Sequence, residues 1–183
     1  MGSLRKPVMV LVVVGACIAI VSTIGLASKH YNTEPGSEPD MATIPKDYRT
    51  WTRVNAEPYR MSAAVAAQCA AATPGQMSPH LDIGAYVNVY VNEKGRAAML
   101  QPGRVVFPEG TLIVKEKLLD SASSDPVLLT VMRKRAKGYN PEIGDWEFAV
   151  LDGKAQTIQA NGKLGNCMQC HKAARASDFV FRT

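Results

Sequence analysis

Residues 83–92 read Ile-Gly-Ala-Tyr-Val-Asn-Val-Tyr-Val-Asn, and this stretch decides the fold. From residue 85 onward, small or aliphatic side chains stand at the odd positions, and tyrosine or asparagine stands at the even ones. An alternation with a period of two residues predicts a β-strand that has one apolar face. The following Asn92-Glu93-Lys94-Gly95 is rich in turn-forming residues and is expected to end this strand.

The chain on either side of this strand predicts more strands and two helices. Aliphatic and β-branched runs predict strands over Thr111 to about Leu118, Val127 to about Arg135, Trp146 to Leu151 and Ala155 to Gln159. An Ala- and Met-rich run without Gly or Pro predicts a helix over Tyr59 to Ala72, and a short helix is expected over Arg96 to Leu100. Short strands joined by turns, with helices beside them, predict an α+β fold with a mainly antiparallel sheet.

An apolar segment precedes this domain. Val8 to Ala27 is a run of 20 residues without charge that follows Arg5 and Lys6, which predicts a transmembrane helix with its basic end in the cytoplasm. The chain then divides into a signal anchor over residues 1–27, a polar linker over 28–40 and one domain over 41–183. Cleavage before Ser28 is the alternative to an uncleaved anchor. Cys17 follows a lipoprotein-like Val-Gly-Ala but is interpreted as an ordinary membrane residue.

The sequence Cys167-Met168-Gln169-Cys170-His171 has the spacing of a c-type haem attachment site. Two cysteines in this spacing can form thioethers with both vinyl groups of one porphyrin, and the adjacent imidazole then reaches the iron. We therefore predict one covalently attached haem c, bound by Cys167 and Cys170, with His171 as the proximal iron ligand.

A thioredoxin-like dithiol and a zinc site are two alternative interpretations of this motif. A thioredoxin-like dithiol would require a βαβ unit around the motif, and a Gly-Asn turn precedes it instead. A zinc site would require further soft ligands, for which the remaining candidates are Cys69, His30 and His80. His80 is the one candidate for a second histidine ligand of the iron, and sulfur could come from Met61, Met77, Met99 or Met132. We expect a five-coordinate iron with one open face.

The net charge of the chain is +5, which by itself excludes little. The basic run Arg133-Lys134-Arg135-Ala136-Lys137 either guides an acidic redox partner or is simply a solvated turn or strand end. No nucleic-acid-binding motif accompanies the charge, so we expect no nucleic-acid partner.

Several spaced motifs make the chain similar to the cytochrome P-460 and cytochrome c′-β family. The resemblance runs from Ile44 to the C terminus, and it rests on Ile44-Pro45-Lys46-Asp47-Tyr48-Arg49-Thr50-Trp51, Tyr86-Val87-Asn88, Phe107-Pro108-Glu109-Gly110-Thr111, Ile113-Val114-Lys115-Glu116, Gly144-Asp145-Trp146-Glu147, and the terminal CxxCH followed by Asp178. It implies a mainly antiparallel β domain, often a homodimer, with one covalent haem beside the sheet and a restricted distal pocket.

The resemblance also frames the functional alternatives. Members similar to cytochrome P-460 oxidise hydroxylamine and carry a lysine cross-linked to the porphyrin, whereas c′-β members bind nitric oxide or carry electrons without it. No motif assigns the cross-linking lysine here, and the positional candidates are Lys94, Lys115 and Lys117. Candidates for the distal face are Phe107, Glu109, Trp146, Glu147 and Phe148.

The favoured hypothesis is a monohaem cytochrome tethered to the bacterial cytoplasmic membrane, with its domain facing the periplasm. Its partner would be a small diatomic ligand such as nitric oxide, or a redox protein. The second hypothesis is an oxidoreductase that acts on hydroxylamine at a cross-linked haem. The third is an accessory haem subunit of a respiratory membrane complex.

Overall fold

The computed structural model describes Gly2 and residues 46–68 and 85–182. The last two ranges lie in one compact unit. Outside the described residues lie the predicted anchor apart from Gly2, the predicted linker, and His30, Cys69, Met77 and His80. In the part of the chain that is described, no helix has both the length and the apolar composition needed to cross a bilayer.

In the described residues, the domain is built on one antiparallel sheet of seven strands. The strands are β1 (Thr52–Arg53), β2 (Tyr59–Met61), β3 (Ala85–Val91), β4 (Leu112–Leu118), β5 (Leu128–Lys134), β6 (Trp146–Asp152) and β7 (Ile158–Gly162). Their order is β1-β3-β4-β5-β6-β7, and β2 also pairs with β3. Each of the last four strands therefore lies beside its neighbour in sequence, which confirms the predicted sheet of consecutive antiparallel strands.

Within residues 46–68 and 85–182, three helices accompany the sheet: α1 (Ala63–Gln68), α2 (Glu93–Leu100) and α3 (Gly165–His171). Short 3₁₀ turns cover Tyr48–Thr50, Pro141–Ile143 and Lys172–Ser177. The α+β prediction is confirmed by this arrangement. Helix α2 begins where the strand was expected to end, because the Asn92 side chain accepts hydrogen bonds from the backbone N–H groups of Gly95 at 3.2 Å and of Leu112 at 3.1 Å.

The helix predicted over Tyr59 to Ala72 is wrong at its start. Tyr59–Met61 forms strand β2, which pairs with β3 in the register Tyr59↔Val87, Arg60↔Tyr86 and Met61↔Ala85. The side chain of Met61 is buried in a small cluster with Ala85 and Val87. Pairing and burial against β3 therefore outweigh the weak helical preference of this segment, and the helix begins only at Ala63.

The register places two sets of side chains on opposite sides of the sheet. Val89, Lys115 and Thr130 lie opposite one another on β3, β4 and β5, and we call their side the cavity face. The neighbouring set, Tyr90, Val114 and Val131, lies on the back face. The back face packs against Tyr48 of the first 3₁₀ turn, and the cavity face packs against the segments around α2 and α3.

Candidate haem site

The CxxCH motif lies on helix α3, which spans Gly165–His171. Residues three and four positions apart share one side of a helix, so Cys167, Cys170 and His171 point the same way. All three line one cavity of about 430 Å³, between this helix and the cavity face of the sheet. Cys167 and Cys170 are not joined by a disulfide. The structure thus brings the three predicted haem-binding residues together.

The wall of this cavity is mainly apolar. Its other lining residues are Tyr59, Arg60, Met61, Ser62, Val65, Val89, Ile113, Lys115, Thr130, Val131, Met132, Phe148, Ala149, Val180 and Phe181. Among the residues that the structure describes, the charged side chains in the wall are those of Arg60 and Lys115. The cavity therefore combines apolar surface for a planar ring with cationic groups suited to carboxylates.

The imidazole of His171 is fixed by one hydrogen bond and two rings. Its Nδ1 lies 2.7 Å from the carbonyl oxygen of Phe179, which fits an N–H donor at that nitrogen. The rings of Phe148 and Phe181 flank it, with centroids at 5.4 Å and 5.2 Å. The second nitrogen, Nε2, then carries the lone pair that a metal ion requires.

The electrostatic environment keeps this imidazole neutral. Burial lowers the pKa of His171 to about 4, against the smaller opposing effect of the hydrogen bond to Phe179. The nearby positive charge of Lys115 lowers the pKa further. A neutral imidazole is the form that binds a metal, so the chain itself prepares His171 for this role at neutral pH.

These residues fit a c-type haem. Two thiols and an imidazole lie at one side of an apolar cavity, in the sequence spacing that thioether attachment requires. The histidine already makes the hydrogen bond that orients a proximal ligand. Arg60 and Lys115 lie in the same wall, where their positive charge would suit the propionate groups of such a haem.

The structure separates the three lysine candidates. Lys115 lines the cavity, whereas Lys94 is exposed on α2. Lys117 is fully buried on the same face of β4 but is not part of the cavity wall. Of the three, Lys115 is therefore the one whose side chain lies in the wall that also holds the CxxCH residues.

The candidates for the distal face are also divided. Phe148 lines the cavity beside His171. Phe107 and Trp146 pack edge to face in the core, with ring centroids 5.5 Å apart. Glu109 is exposed, and Glu147 accepts a hydrogen bond from Arg135 at 2.8 Å. Met61 and Met132 line the cavity, while Met99 is buried in the core.

The basic run at the end of β5 is mostly committed to internal contacts. Arg133 and Lys134 are buried, Lys134 pairs with Asp178 at 2.6 Å, and Arg135 pairs with Glu147 at 2.8 Å. Of its charged residues, Lys137 alone is exposed. Both interpretations of the run, a guiding patch for an acidic partner and a solvated strand end, are therefore wrong for Arg133 and Lys134, whereas the Arg135 side chain is 30% exposed just after the end of the strand.

Two parts of the site were missed by sequence reasoning. Tyr59 to Ser62 form one wall of the cavity, and the mistaken helix concealed this role. The residues after the motif, Asp178 and Phe179, hold the His171 imidazole through the Phe179 carbonyl. Asp178 was singled out by family resemblance alone, and a backbone carbonyl leaves no signal in a sequence.

Comparison with known families agrees with this geometry. The family model described as Cytochrome P460 matches residues 45–182. No curated protein matches the chain. The matched range contains every described strand and helix of the domain as well as all three residues of the haem-binding motif.

Proposed function

The chain belongs to the cytochrome P460 family, whose members bind haem c, and from that premise we propose that it is a membrane-tethered monohaem cytochrome with a ligand-binding haem face. One haem would be attached through Cys167 and Cys170, and His171 would be its proximal ligand. When bound, haem supplies an iron that changes between two oxidation states and accepts an exogenous ligand such as nitric oxide.

The observation that carries this proposal is the state of His171. Its Nδ1 is engaged with the Phe179 carbonyl at 2.7 Å, and its low pKa leaves Nε2 as a neutral donor atom inside a mainly apolar cavity. A histidine held in this way supports a firm bond on one side of the iron. The apolar wall would suit a small, weakly polar iron ligand such as nitric oxide.

Absorption spectra of the haem-loaded protein test the proposal. We expect broad high-spin bands in the ferrous state that shift when carbon monoxide is added. Sharp low-spin bands that carbon monoxide leaves unmoved would contradict an open face and would support a six-coordinate electron carrier. His171→Ala should change the spin state while the thioether bonds remain, and an unchanged spectrum would remove His171 from the site.

A second function is favoured by the position of Lys115. This residue lies in the wall of the cavity that Cys167, Cys170 and His171 also line, so its amine is the candidate for a covalent bond to the porphyrin. Such a bond is the mark of the members that oxidise hydroxylamine. The alternative proposal is therefore a hydroxylamine oxidoreductase whose haem is additionally linked to Lys115.

Mass spectrometry of the haem peptide separates the two functions. A cross-linked haem would join the peptide containing Lys115 to the CxxCH peptide, and Lys115→Met would abolish the joined product. Lys94→Met is the matched control because Lys94 is exposed on α2, away from the cavity. A wild-type protein that holds haem through thioethers only, and that does not oxidise hydroxylamine with an artificial electron acceptor, would exclude the second function.

A further inference from the structure

The turn after helix α3 has an unusual backbone. Asp178 and Phe179 both have positive φ angles, of 54° and 63°. Two consecutive residues with side chains rarely adopt this left-handed conformation, so the surrounding structure must hold them there. The turn directs the Phe179 carbonyl oxygen to within 2.7 Å of His171 Nδ1.

The Asp178 carboxylate makes the main contacts that hold this turn in place. Its Oδ2 accepts hydrogen bonds from the backbone N–H of Phe107 at 2.8 Å and from Lys134 Nζ at 2.6 Å. The side chains of Asp178 and Lys134 are both 9% exposed, so water screens this ion pair little. Trp146 adds a third hydrogen bond from Nε1 to the Asp178 carbonyl, at 2.7 Å.

The turn is also confined from its other side. A Cβ atom added to Gly144 would lie 2.7 Å from Asp178 Oδ1 and 2.9 Å from a ring carbon of Phe179. Any larger residue at position 144 would push the turn out of place. The absence of a side chain at Gly144 thus provides the space in which Asp178 and Phe179 sit.

We propose that Asp178 is the positioning residue for the proximal ligand. Its contacts with Lys134 and Phe107 hold the turn in place, and the turn fixes the Phe179 carbonyl. That carbonyl orients His171 and strengthens electron donation by the imidazole. The inference rests on the proposed function, in which His171 binds the iron. Groups that hydrogen-bond the far nitrogen of a ligating histidine set its orientation and basicity. Asp178 exerts this effect indirectly, through the backbone carbonyl of its neighbour Phe179.

Asp178→Asn is the primary test. Asparagine adopts the left-handed conformation readily and keeps the size of the side chain, but it removes the charge that binds Lys134. Gly144→Ala displaces the same turn without changing any residue that touches His171. The matched control is Glu147→Gln, which breaks the ion pair with Arg135 and removes the same charge on the opposite face of the sheet.

The measurements are the iron–histidine stretching frequency by resonance Raman, the reduction potential and the melting temperature of the haem-loaded full chain. We expect both Asp178→Asn and Gly144→Ala to lower and broaden the iron–histidine band and to shift the potential in the positive direction. Glu147→Gln should lower the melting temperature while leaving the band where it is in the wild type.

The failures of the two proposals can be told apart. If the wild type shows the iron–histidine band, and both variants lose thermal stability but leave band and potential unmoved, Asp178 only stabilises the fold and this inference is overturned. If the wild-type protein carries no thioether-bound haem, or no bond between iron and His171, the proposed function fails and the positioning role fails with it.

Discussion

The buried carboxylate of Glu116 should stabilise the sheet without influencing the haem. It lies on the back face at 2% exposure, and three donors converge on it. Tyr48 Oη and Arg49 Nε each lie 2.7 Å from Oε1, and Asn88 Nδ2 lies 3.0 Å from Oε2. The perturbation that tests its role is Glu116→Gln, which preserves shape and removes the charge.

Glutamine cannot satisfy all three donors. If its oxygen accepts from Tyr48 and Arg49, its amide nitrogen faces the Asn88 amide nitrogen, and two donors oppose each other. Rotation of the Asn88 amide would not help, because Asn88 Oδ1 already accepts from Arg53 Nη2 at 2.7 Å. In the reverse orientation the amide nitrogen of glutamine faces Arg49 Nε, so one of the three hydrogen bonds is lost in either orientation, the buried one from Asn88 or the partly buried one from Arg49.

The loss in the free energy of unfolding can be worked out from these contacts. A buried donor left without an acceptor costs about 1–3 kcal/mol, and the two surviving bonds lose the strength that a charged acceptor gives, about 1 kcal/mol each. Glutamine is neutral, so its burial avoids the desolvation cost of a buried carboxylate, and this offsets part of the loss. The Arg49 side chain is 48% exposed, so its ion pair with Glu116 contributes at the low end of the range. We expect a net loss of about 3 kcal/mol in the free energy of unfolding.

Urea denaturation of the haem-loaded protein measures this loss. With a slope of about 2 kcal/mol per molar urea, the midpoint should fall by about 1.5 M. The control is Glu109→Gln, the same change at an exposed position, which should leave the midpoint nearly unchanged. A Glu116→Gln shift no larger than that of the control would refute the reasoning, and so would a changed haem spectrum, because Glu116 lies on the face away from the cavity.

Three further predictions concern attachment, pH and packing. Cys167→Ala should lower the fraction of haem that remains on the chain after denaturation, as measured by haem staining or mass, and full retention would argue against a thioether at this residue. Burial, and then the hydrogen bond to Glu116, raise the pKa of Tyr48, so its contribution is complete below the unfolded value of about 10 and is lost as the pH rises above it. The stability difference between wild type and Tyr48→Phe should therefore shrink above pH 10 in urea titrations, and a constant difference would contradict this linkage. Gly95→Ala should destabilise the domain by about 1–3 kcal/mol in thermal melts, because the new methyl group would overlap the γ-methyl of Thr111. A gain in stability would contradict this prediction and would show that helix α2 can shift to make room for the methyl group.

Patterns within short stretches of sequence predicted most of the strands and the haem-binding motif. Period-two alternation identified β3, and aliphatic and β-branched runs identified β4, β5 and β6, because the side chains that a strand buries are apolar whichever neighbour it pairs with. The CxxCH spacing identified Cys167, Cys170 and His171 because three haem-binding groups within one helical turn need no distant partner to come together. Asn92 marked the end of strand β3, but the turn expected over residues 92–95 is the cap and first turn of helix α2, which begins at Glu93 and not at Arg96.

The tertiary structure decided whatever depends on residues far apart in the chain. Tyr59–Met61 is a strand rather than a helix because β3 offers it an edge to pair with, and no property of the segment itself reports that edge. Lys115 reaches the cavity because the register of β4 sets the side to which each of its residues points. Lys134 is internal, and not a surface charge, because it pairs with Asp178. That partner lies 44 positions further along the chain, so the local sequence does not reveal the pair. The sequence thus determined the chemistry that His171 can perform, whereas the fold determined how that histidine is held.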